Sequence, residues 1–337
     1  RGVRWSTADA YLRPALKRPN LTLHTGAQVT RVLFDGTRAT GVEAVVDGVP
    51  TLVKARREVV LAGGSVSTPQ LLMLSGVGPA DHLREHGIDV VHDAAEVGRN
   101  LADHVIAGFG WEVDGGTLVG AMAPAQRWSY RLRRRGMLTS NAGEAYGFVR
   151  SRPDLDLPDV ELAFAPAPLF DEGLVPYPNH AVAISAILQT PVSRGTITLR
   201  SSDPLDKPVI DPRYLSDPDG ADRAAVLGGL RAALDLAQQP SLKAVLGTMV
   251  RPVVDGTPGP DELAAAVIEQ AAQTGYHPVG TCRMGADAAS VVDPQLRVRG
   301  VDGLRVADAS VMPSLIRGHT NAPAILIGER AAQLLRA

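Results

Sequence analysis

A short apolar run followed by two glycines and a helix-forming segment constrains the fold of this chain most strongly. The run at 58–62 reads EVVLA, Gly63 and Gly64 follow it, and residues 65–75 suit a helix. A continuous apolar run that stops at glycines is typical of a parallel strand buried on both faces. We therefore predict a strand, a glycine turn and a helix of an α/β layer. Such a turn can offer backbone N–H groups to a phosphate, but two glycines alone are weak evidence for a phosphate site.

Two histidines lie in loop sequence near the C-terminus, on either side of a second predicted strand. His277 precedes Pro278 and His319 follows Gly318, so both have turn-forming neighbours. They are 42 residues apart, which no single helix or hairpin can span, so only the fold could bring them together. Residues 303–308 read as a short buried strand with an acidic end, and open α/β sheets place ligands at strand ends. A loop histidine taken alone is most often solvated or bonded to backbone.

Several ungapped words of the sequence resemble those of one enzyme family and occur in that family's order. The C-terminal words are HPVGTCRMG at 277–285, VDP at 292–294, LRVADAS at 304–310 and GHTNAP at 318–323. Upstream, GSVSTPQLLMLSGVG at 64–78 and VGRNLADH at 97–104 belong to the same pattern. On these words the chain resembles the glucose-methanol-choline (GMC) oxidoreductases, enzymes that use FAD to oxidise alcohols.

The resemblance implies a mixed α/β and α+β architecture with two domains. Residues 1–104 and 274–337 match parts of a Rossmann-like FAD-binding domain, and 105–273 match an antiparallel-sheet domain that binds substrate. The local patterns agree with this division, since two Asp-Gly dipeptides within 28–54 predict a three-stranded antiparallel meander. In the middle, strands are predicted at 138–142, 146–150, 160–165, 181–189 and 195–200, and helices at 221–238 and 260–274.

Composition excludes several classes of function. A hydrophobic content of 45% and a charged content of 21% are those of an ordinary globular protein. A formal net charge of −2 gives no field that attracts nucleic acid, and the arginines at 131–135 read as a solvated patch. No run approaches the roughly 18 apolar residues that span a bilayer. The single cysteine, Cys282, cannot form an internal disulfide, so we expect a packed small residue in a cytoplasmic protein.

Alcohol oxidation needs two transfers, and the histidines match the residues that assist them in the family. The hydroxyl proton must be removed, and the carbon-bound hydrogen must leave as hydride to an electron acceptor. A neutral imidazole suits the proton at neutral pH. The resemblance implies that His277 is the general base and that His319 hydrogen-bonds the substrate oxygen. No metal is expected.

The resemblance also implies which residues contact FAD. The matching positions are Val29, Asn100, Asp308, Ala309, Asn321 and Ala322. For Asp308 a purely structural role as the cap of a turn is an equal alternative. Aromatic side chains of the middle domain, Phe164, Phe170 and Tyr177, line a substrate pocket or, more often for such residues, belong to the core.

One feature of the family is missing from these 337 residues. No strand is followed by the Gly-x-Gly-x-x-Gly fingerprint that binds a dinucleotide, and the chain opens without Met. We therefore expect a C-terminal two thirds of the family's enzyme, which binds FAD poorly and has little activity by itself. The alternatives are a lyase of the same fold, similar to the hydroxynitrile lyases, or an inactive binding remnant. The alcohol, the electron acceptor and the oligomeric state stay open, although a neutral alcohol is favoured over choline.

Overall fold

The structure is a computed structural model that describes residues 2–170, 173–174 and 176–336. Two compact units divide the chain, and each is made of three segments. The sheet unit comprises residues 1–6, 104–192 and 217–276, and the histidine unit comprises residues 7–103, 193–216 and 277–337. The expected domain boundaries differ from this division at 193–216, which lies in the histidine unit and not with the middle segment.

Helices and strands are distributed along the whole chain, with runs of consecutive strands among the described residues of 27–61 and 145–211. The helices are α1 Arg13–Ala15, α2 Gly64–Leu74, α3 Ala80–Glu85, α4 Pro124–Arg133, α5 Ala221–Ala237, α6 Pro240–Lys243, α7 Pro260–Ala271 and α8 Asn321–Leu334. Shorter helical turns in the described residues include a π-helical turn, Ala8–Leu12, and the 3-10 turns Met137–Thr139 and Ala309–Val311. The strands are β1 Ala27–Asp35, β2 Arg38–Val46, β3 Val49–Lys54, β4 Val59–Leu61, β5 Val77–Gly78, β6 His92–Asp93, β7 Val105–Glu112, β8 Ala145–Val149, β9 Val160–Ala165, β10 Ala181–Leu188, β11 Thr196–Thr198, β12 Val209–Asp211, β13 Met249–Arg251, β14 Gln273–Thr274 and β15 Leu304–Val306.

The sheet unit is built on one antiparallel sheet of six strands. Its order is β13-β7-β10-β9-β8, and β14 also pairs with β7. Helix α5 packs close to this sheet, because a Cβ at Gly229 would lie 2.6 Å from Val160 Cγ1. Only glycine allows that approach. The predicted strands at 146–150, 160–165 and 181–189 and the two predicted helices are confirmed.

One strand prediction in this unit is wrong. Residues 138–142 begin in the 3-10 turn Met137–Thr139, and no strand of the described chain includes them. Ser140 Oγ accepts the N–H of Ala142 at 3.0 Å, so a side chain takes the place of a ladder partner. Helix α4, just before this turn, was not predicted.

The histidine unit contains the meander and the parallel strands that the sequence predicts. Strands β1, β2 and β3 form a three-stranded antiparallel sheet, and β4 pairs in parallel with β15. Helix α2 follows β4 after Gly63, as expected for a strand, glycine turn and helix. The hydrophobic core of the unit includes the fully buried Leu72, Met73, Val292, Val306 and Cys282. The mixed fold class is confirmed.

Candidate active site

The structure brings the two predicted histidines together within the histidine unit. The ring centroids of His277 and His319 are 4.9 Å apart, and the rings meet edge to face at 86°. His277 is half-buried, whereas His319 is exposed. Two imidazoles from segments 42 residues apart therefore face one small volume, which the sequence spacing alone could not establish.

A buried carboxylate holds the backbone of His277. The His277 N–H donates to Asp103 Oδ1 at 2.8 Å, and the Tyr214 hydroxyl donates to Asp103 Oδ2 at 2.6 Å. Asp103 is only 6% exposed. Neither Asp103 nor Tyr214 was singled out from the sequence. The available signal was the place of Asp103 in the NLADH word at 100–104.

The chain on the C-terminal side of His277 is fixed against the segment that contains Asn100. Val279 and Ala102 exchange backbone hydrogen bonds of 3.1 and 2.8 Å. Gly280 has a φ of +90°, and a Cβ there would lie 2.5 Å from the carbonyl oxygen of Asn100. The Asn100 side chain donates to a carboxylate oxygen of Glu96 at 2.8 Å. Asn100 is thus close to the histidine loop through its backbone, while its side chain already has a protein partner.

The first turn of α2 makes a second anchor for the same loop. Ser65 Oγ donates to the carbonyl oxygen of Pro278 at 2.7 Å, and Thr281 Oγ1 donates to the carbonyl oxygen of Ser65 at 2.7 Å. Both serine and threonine are buried, so these bonds are shielded from water. The helix after the glycine turn therefore positions the loop that holds His277.

Asp308 caps the turn that follows β15. Its Oδ1 accepts the N–H of Ser310 at 2.8 Å, and its Oδ2 accepts from Gly64 N–H at 2.9 Å and Thr68 Oγ1 at 2.6 Å. Ala309 opens the 3-10 turn and is partly buried. The side chain of Asp308 therefore caps the turn, as the structural alternative predicted. Its contact with a cofactor stays a prediction.

The remaining predicted cofactor residues fall into two groups. Asn321 and Ala322 are exposed at the start of α8, next to His319 in the chain. Val29 lies on β1 and lines a cavity of about 520 Å³ together with Ala62 and Gly63. The first group is adjacent to the histidines, whereas Val29 belongs to the cavity beside the glycine turn.

The environment of His277 lowers the pKa of its imidazole below the ordinary value. Burial is the largest cause, because it disfavours the charged ring, and the charge of nearby His319 acts in the same direction. The carboxylate of Asp103 opposes both. His277 is therefore neutral at pH 7 and able to accept a proton.

The residues present fit only part of an FAD molecule. The cavity at Val29 offers backbone groups and apolar walls, which suit a flat heteroaromatic ring. At the glycine turn, however, the N–H of Gly64 is already bound to Asp308. The backbone donors that would receive a pyrophosphate at such a turn are thus partly used within the protein.

The aromatic residues considered for a substrate pocket lie in the sheet unit. Phe170 is buried and its ring meets Tyr177 edge to face at 5.3 Å, and the Tyr177 hydroxyl donates to Glu112. Phe164 lines an apolar groove of about 300 Å³ that also includes Tyr146. Phe170 and Tyr177 thus show the packing of core residues, and Phe164 borders open space.

Neither a metal cluster nor a membrane-spanning helix occurs among the described residues, which leave out 1, 171–172, 175 and 337. They contain no group of three or more His, Cys, Asp or Glu side chains arranged to hold a metal ion. No helix among them combines the length and the apolar character that a bilayer crossing needs.

The fold alone does not define a function, and comparison with known proteins identifies the family. Models of the GMC oxidoreductase family match residues 1–106 and 191–328. The chain belongs to the GMC oxidoreductases, which confirms the resemblance seen in the sequence words.

Relatives and solved structures agree with this assignment. An uncharacterized GMC-type oxidoreductase of Mycobacterium tuberculosis is 61% identical over 340 residues, covering 100% of this chain and 63% of that protein. The alcohol dehydrogenase [acceptor] of Pseudomonas putida is 43% identical over 346 residues, covering 99% of this chain and 61% of the enzyme. A solved structure of Aspergillus oryzae formate oxidase, from work on FAD modification in that enzyme, superposes with a TM-score of 0.86 at 28% identity. The match covers 96% of this chain and 62% of that one. The chain thus spans under two thirds of these relatives, and FAD, as predicted, is the cofactor of the family.

Proposed function

We propose that this chain provides the alcohol-oxidising site of an FAD-dependent GMC enzyme. The observation behind the proposal is the His277–His319 pair, with ring centroids 4.9 Å apart at the end of a loop that long-range hydrogen bonds hold in place. The name of the Pseudomonas putida relative supports an alcohol as the substrate class.

His277 is the general base in this proposal. Its lowered pKa keeps the imidazole neutral at pH 7, so a ring nitrogen has a lone pair for the hydroxyl proton. Its backbone N–H is committed to Asp103, which fixes the residue without using the ring. General-base assistance of this kind is worth roughly 10²- to 10⁴-fold in rate.

His319 is the second residue of the site and donates a hydrogen bond to the substrate oxygen. Negative charge develops on this oxygen as its proton leaves, and a donor already in position stabilises that charge. The ring centroids are 4.9 Å apart, and in this proposal both rings reach the same substrate oxygen.

FAD, when bound, supplies the hydride acceptor. In this proposal Val29 contacts the adenine end through its backbone, and Asn100, Asp308, Ala309, Asn321 and Ala322 lie toward the rest of the cofactor.

The parallel sheet β4–β15 has only two strands in the described chain, although parallel sheets are ordinarily larger and covered on both faces. We therefore expect that the 337-residue chain, mixed with excess FAD and desalted, retains little flavin absorbance. A full flavin band would contradict this expectation.

The proposal is tested by anaerobic flavin reduction in an enzyme of this sequence that extends to the length of the relatives. His277→Ala is expected to slow reduction by an alcohol at least about a hundredfold while FAD stays bound. His319→Ala is expected to weaken both substrate binding and reduction. The matched control is His24→Ala, at an exposed histidine outside the site.

Each outcome of that experiment has a distinct meaning. A wild-type rate in His277→Ala would reject His277 as the base. Unchanged binding and reduction in His319→Ala would remove His319 from the site. If no alcohol reduces the flavin but a cyanohydrin is cleaved, the enzyme is a lyase of this fold and the oxidation proposal fails.

A further inference from the structure

A stretch of the sheet unit is strongly basic in a chain that is acidic overall. Residues 115–143 contain five arginines and no acidic residue, whereas the whole chain has a formal net charge of −2. The arginines are Arg127, Arg131, Arg133, Arg134 and Arg135, and four of them fall within five positions. Such a concentration of one sign is an electrostatic feature that the oxidation chemistry does not use.

Helix α4 occupies this stretch and exposes its apolar residues. Trp128 is 59% exposed and Leu132 is 73% exposed. They are four positions apart, so they lie on the same side of the helix. Met122, 70% exposed, precedes the helix, and α4 has no buried residue at all. The half-buried positions are Gln126, Ser129 and Tyr130. The helix thus turns a polar side toward the protein and an apolar side toward solvent.

The arginines lie beside this apolar side and have no acidic partners. None of the five forms an ion pair in the part of the chain that the structure describes. The guanidinium of Arg134 lies over the face of the Tyr130 ring, 5.0 Å from its centroid. Arg131 follows Trp128 by three positions on α4, so it lies beside that tryptophan on the helix surface, and Arg135 lies just beyond the C-cap, Arg134. Their charges are therefore available to an external anionic surface.

We propose that α4 with its flanking residues, 122–135, is a docking surface for an anionic phospholipid membrane. A helix with large apolar side chains on one side and arginines along that side lies flat in the headgroup region of a bilayer. Tryptophan is favoured at that depth, and arginines gain energy from anionic headgroups. An acidic protein partner would match the arginines but would leave no reason for a tryptophan, a leucine and a methionine to face solvent together. The helix is about 15 Å long, which fits reversible attachment.

Vesicle cosedimentation of the full chain tests the proposal. The vesicles contain either phosphatidylcholine alone or phosphatidylcholine mixed with phosphatidylglycerol, and binding is expected only to the mixture. Arg131→Gln with Arg135→Gln should weaken partitioning about 30-fold, as two lost arginine–headgroup attractions imply. Trp128→Ser with Leu132→Ser should weaken it by about tenfold or more, since two exposed apolar side chains no longer insert.

Matched controls come from exposed residues elsewhere. Arg56→Gln with Arg57→Gln removes the same charge from exposed, adjacent arginines, and Trp5→Ser removes a tryptophan that is 76% exposed. Both controls should change partitioning less than about twofold, because they lie outside the docking surface. If partitioning fell as much in the controls as in the helix variants, binding would be nonspecific electrostatic or hydrophobic adsorption, and the proposal would be overturned.

Tryptophan fluorescence gives an independent readout. The chain has three tryptophans, and Trp111 is buried, so Trp5→Phe leaves Trp128 as the exposed reporter. Addition of the anionic vesicles should shift its emission to shorter wavelength, and phosphatidylcholine vesicles should not. No shift with the mixed vesicles, or equal binding to both kinds, rejects an anionic membrane as the partner.

Discussion

The two histidine segments of the candidate site are held in different ways. The His277 loop is tied to residues far away in sequence, since its bonds to Asp103 and Ser65 join positions 174 and 213 residues apart. His319 instead sits in a local turn, after Gly318 and directly before α8, and its side chain is exposed. The backbone of His277 is therefore fixed by distant parts of the histidine unit, whereas His319 lies exposed just before α8.

The two histidines of one site therefore differ in how firmly their backbone is held. A general base must hold its nitrogen within hydrogen-bond reach of the substrate proton, so a rigid loop suits the role proposed for His277. A residue that only donates to the substrate oxygen tolerates more movement, and an exposed turn before a helix provides it. We infer that variants in the His277 loop affect the stability of the histidine unit, while variants in the His319 turn affect mainly the chemistry.

The largest expected effect comes from a methyl group at Gly280. Gly280→Ala places a Cβ 2.5 Å from the carbonyl oxygen of Asn100 at a φ of +90°, so both a clash and backbone strain arise. We expect the histidine unit to lose about 2–4 kcal/mol of unfolding free energy. Hydrogen exchange of peptides spanning 97–104 and 277–284 measures this loss, with peptides of the sheet unit as an internal reference.

The matched variant in the other segment is Gly318→Ala. Gly318 has a φ of +137°, but a Cβ there meets nothing within 4 Å. Strain without a clash should cost about 1 kcal/mol. Equal costs at Gly280 and Gly318 would show that the two segments do not differ in how tightly they are packed.

The next effect in size is that of Asp103→Asn. The amide oxygen can still accept from the His277 N–H while its N–H₂ group donates to the Tyr214 hydroxyl oxygen, so two charge-assisted bonds become weaker neutral ones. The expected destabilisation is about 1–3 kcal/mol, with faster exchange at 277–284. Tyr214→Phe removes only the hydroxyl and should cost less. If Tyr214→Phe were the more damaging variant, the carboxylate would not be the principal anchor of the loop.

The sequence was sufficient for local elements and for the residue types of the site. The Asp-Gly turns predicted the meander, and the GMC words located both histidines. Two features were not predicted, one because of a local side-chain bond and the other because it depends on tertiary contacts. The 3-10 turn Met137–Thr139 replaced a strand because Ser140 supplies a local partner, and Asp103 became an anchor only through Tyr214 and His277.

The exposure of α4 could not be predicted from the sequence either. A run of arginines with tryptophan and leucine is compatible with a solvated patch, which was the expectation, or with an amphipathic helix. Periodicity could have indicated the helix, yet only the structure shows that Trp128 and Leu132 face outward. Burial is a property of the whole fold, so a pattern in one segment does not determine it.

A smaller effect is expected when the exposed histidine is truncated. His319→Ala should change the unfolding free energy of the histidine unit by less than about 0.5 kcal/mol, as is usual for exposed positions. Hydrogen exchange of α8 peptides measures it. A cost comparable to that of Asp103→Asn would mean that the ring of His319 supports the fold, and the contrast between the two segments would disappear.

The finest test of the contrast is the titration of His277 itself. Burial and the neighbouring His319 lower its pKa, so an NMR titration of its ring protons, assigned by His277→Gln, should have a midpoint below the ordinary value of about 6.5. His319→Ala should raise that midpoint, because a repelling positive charge is removed, and Asp103→Asn should lower it further.

Since the folded-state pKa is depressed, the unfolded chain binds the proton first as the pH falls. The contribution of His277 to stability is therefore complete above about pH 6.5 and is lost as the pH falls through the folded value. A midpoint at or above the ordinary value would show that the ring of His277 is as open to water as that of His319, whatever holds its backbone.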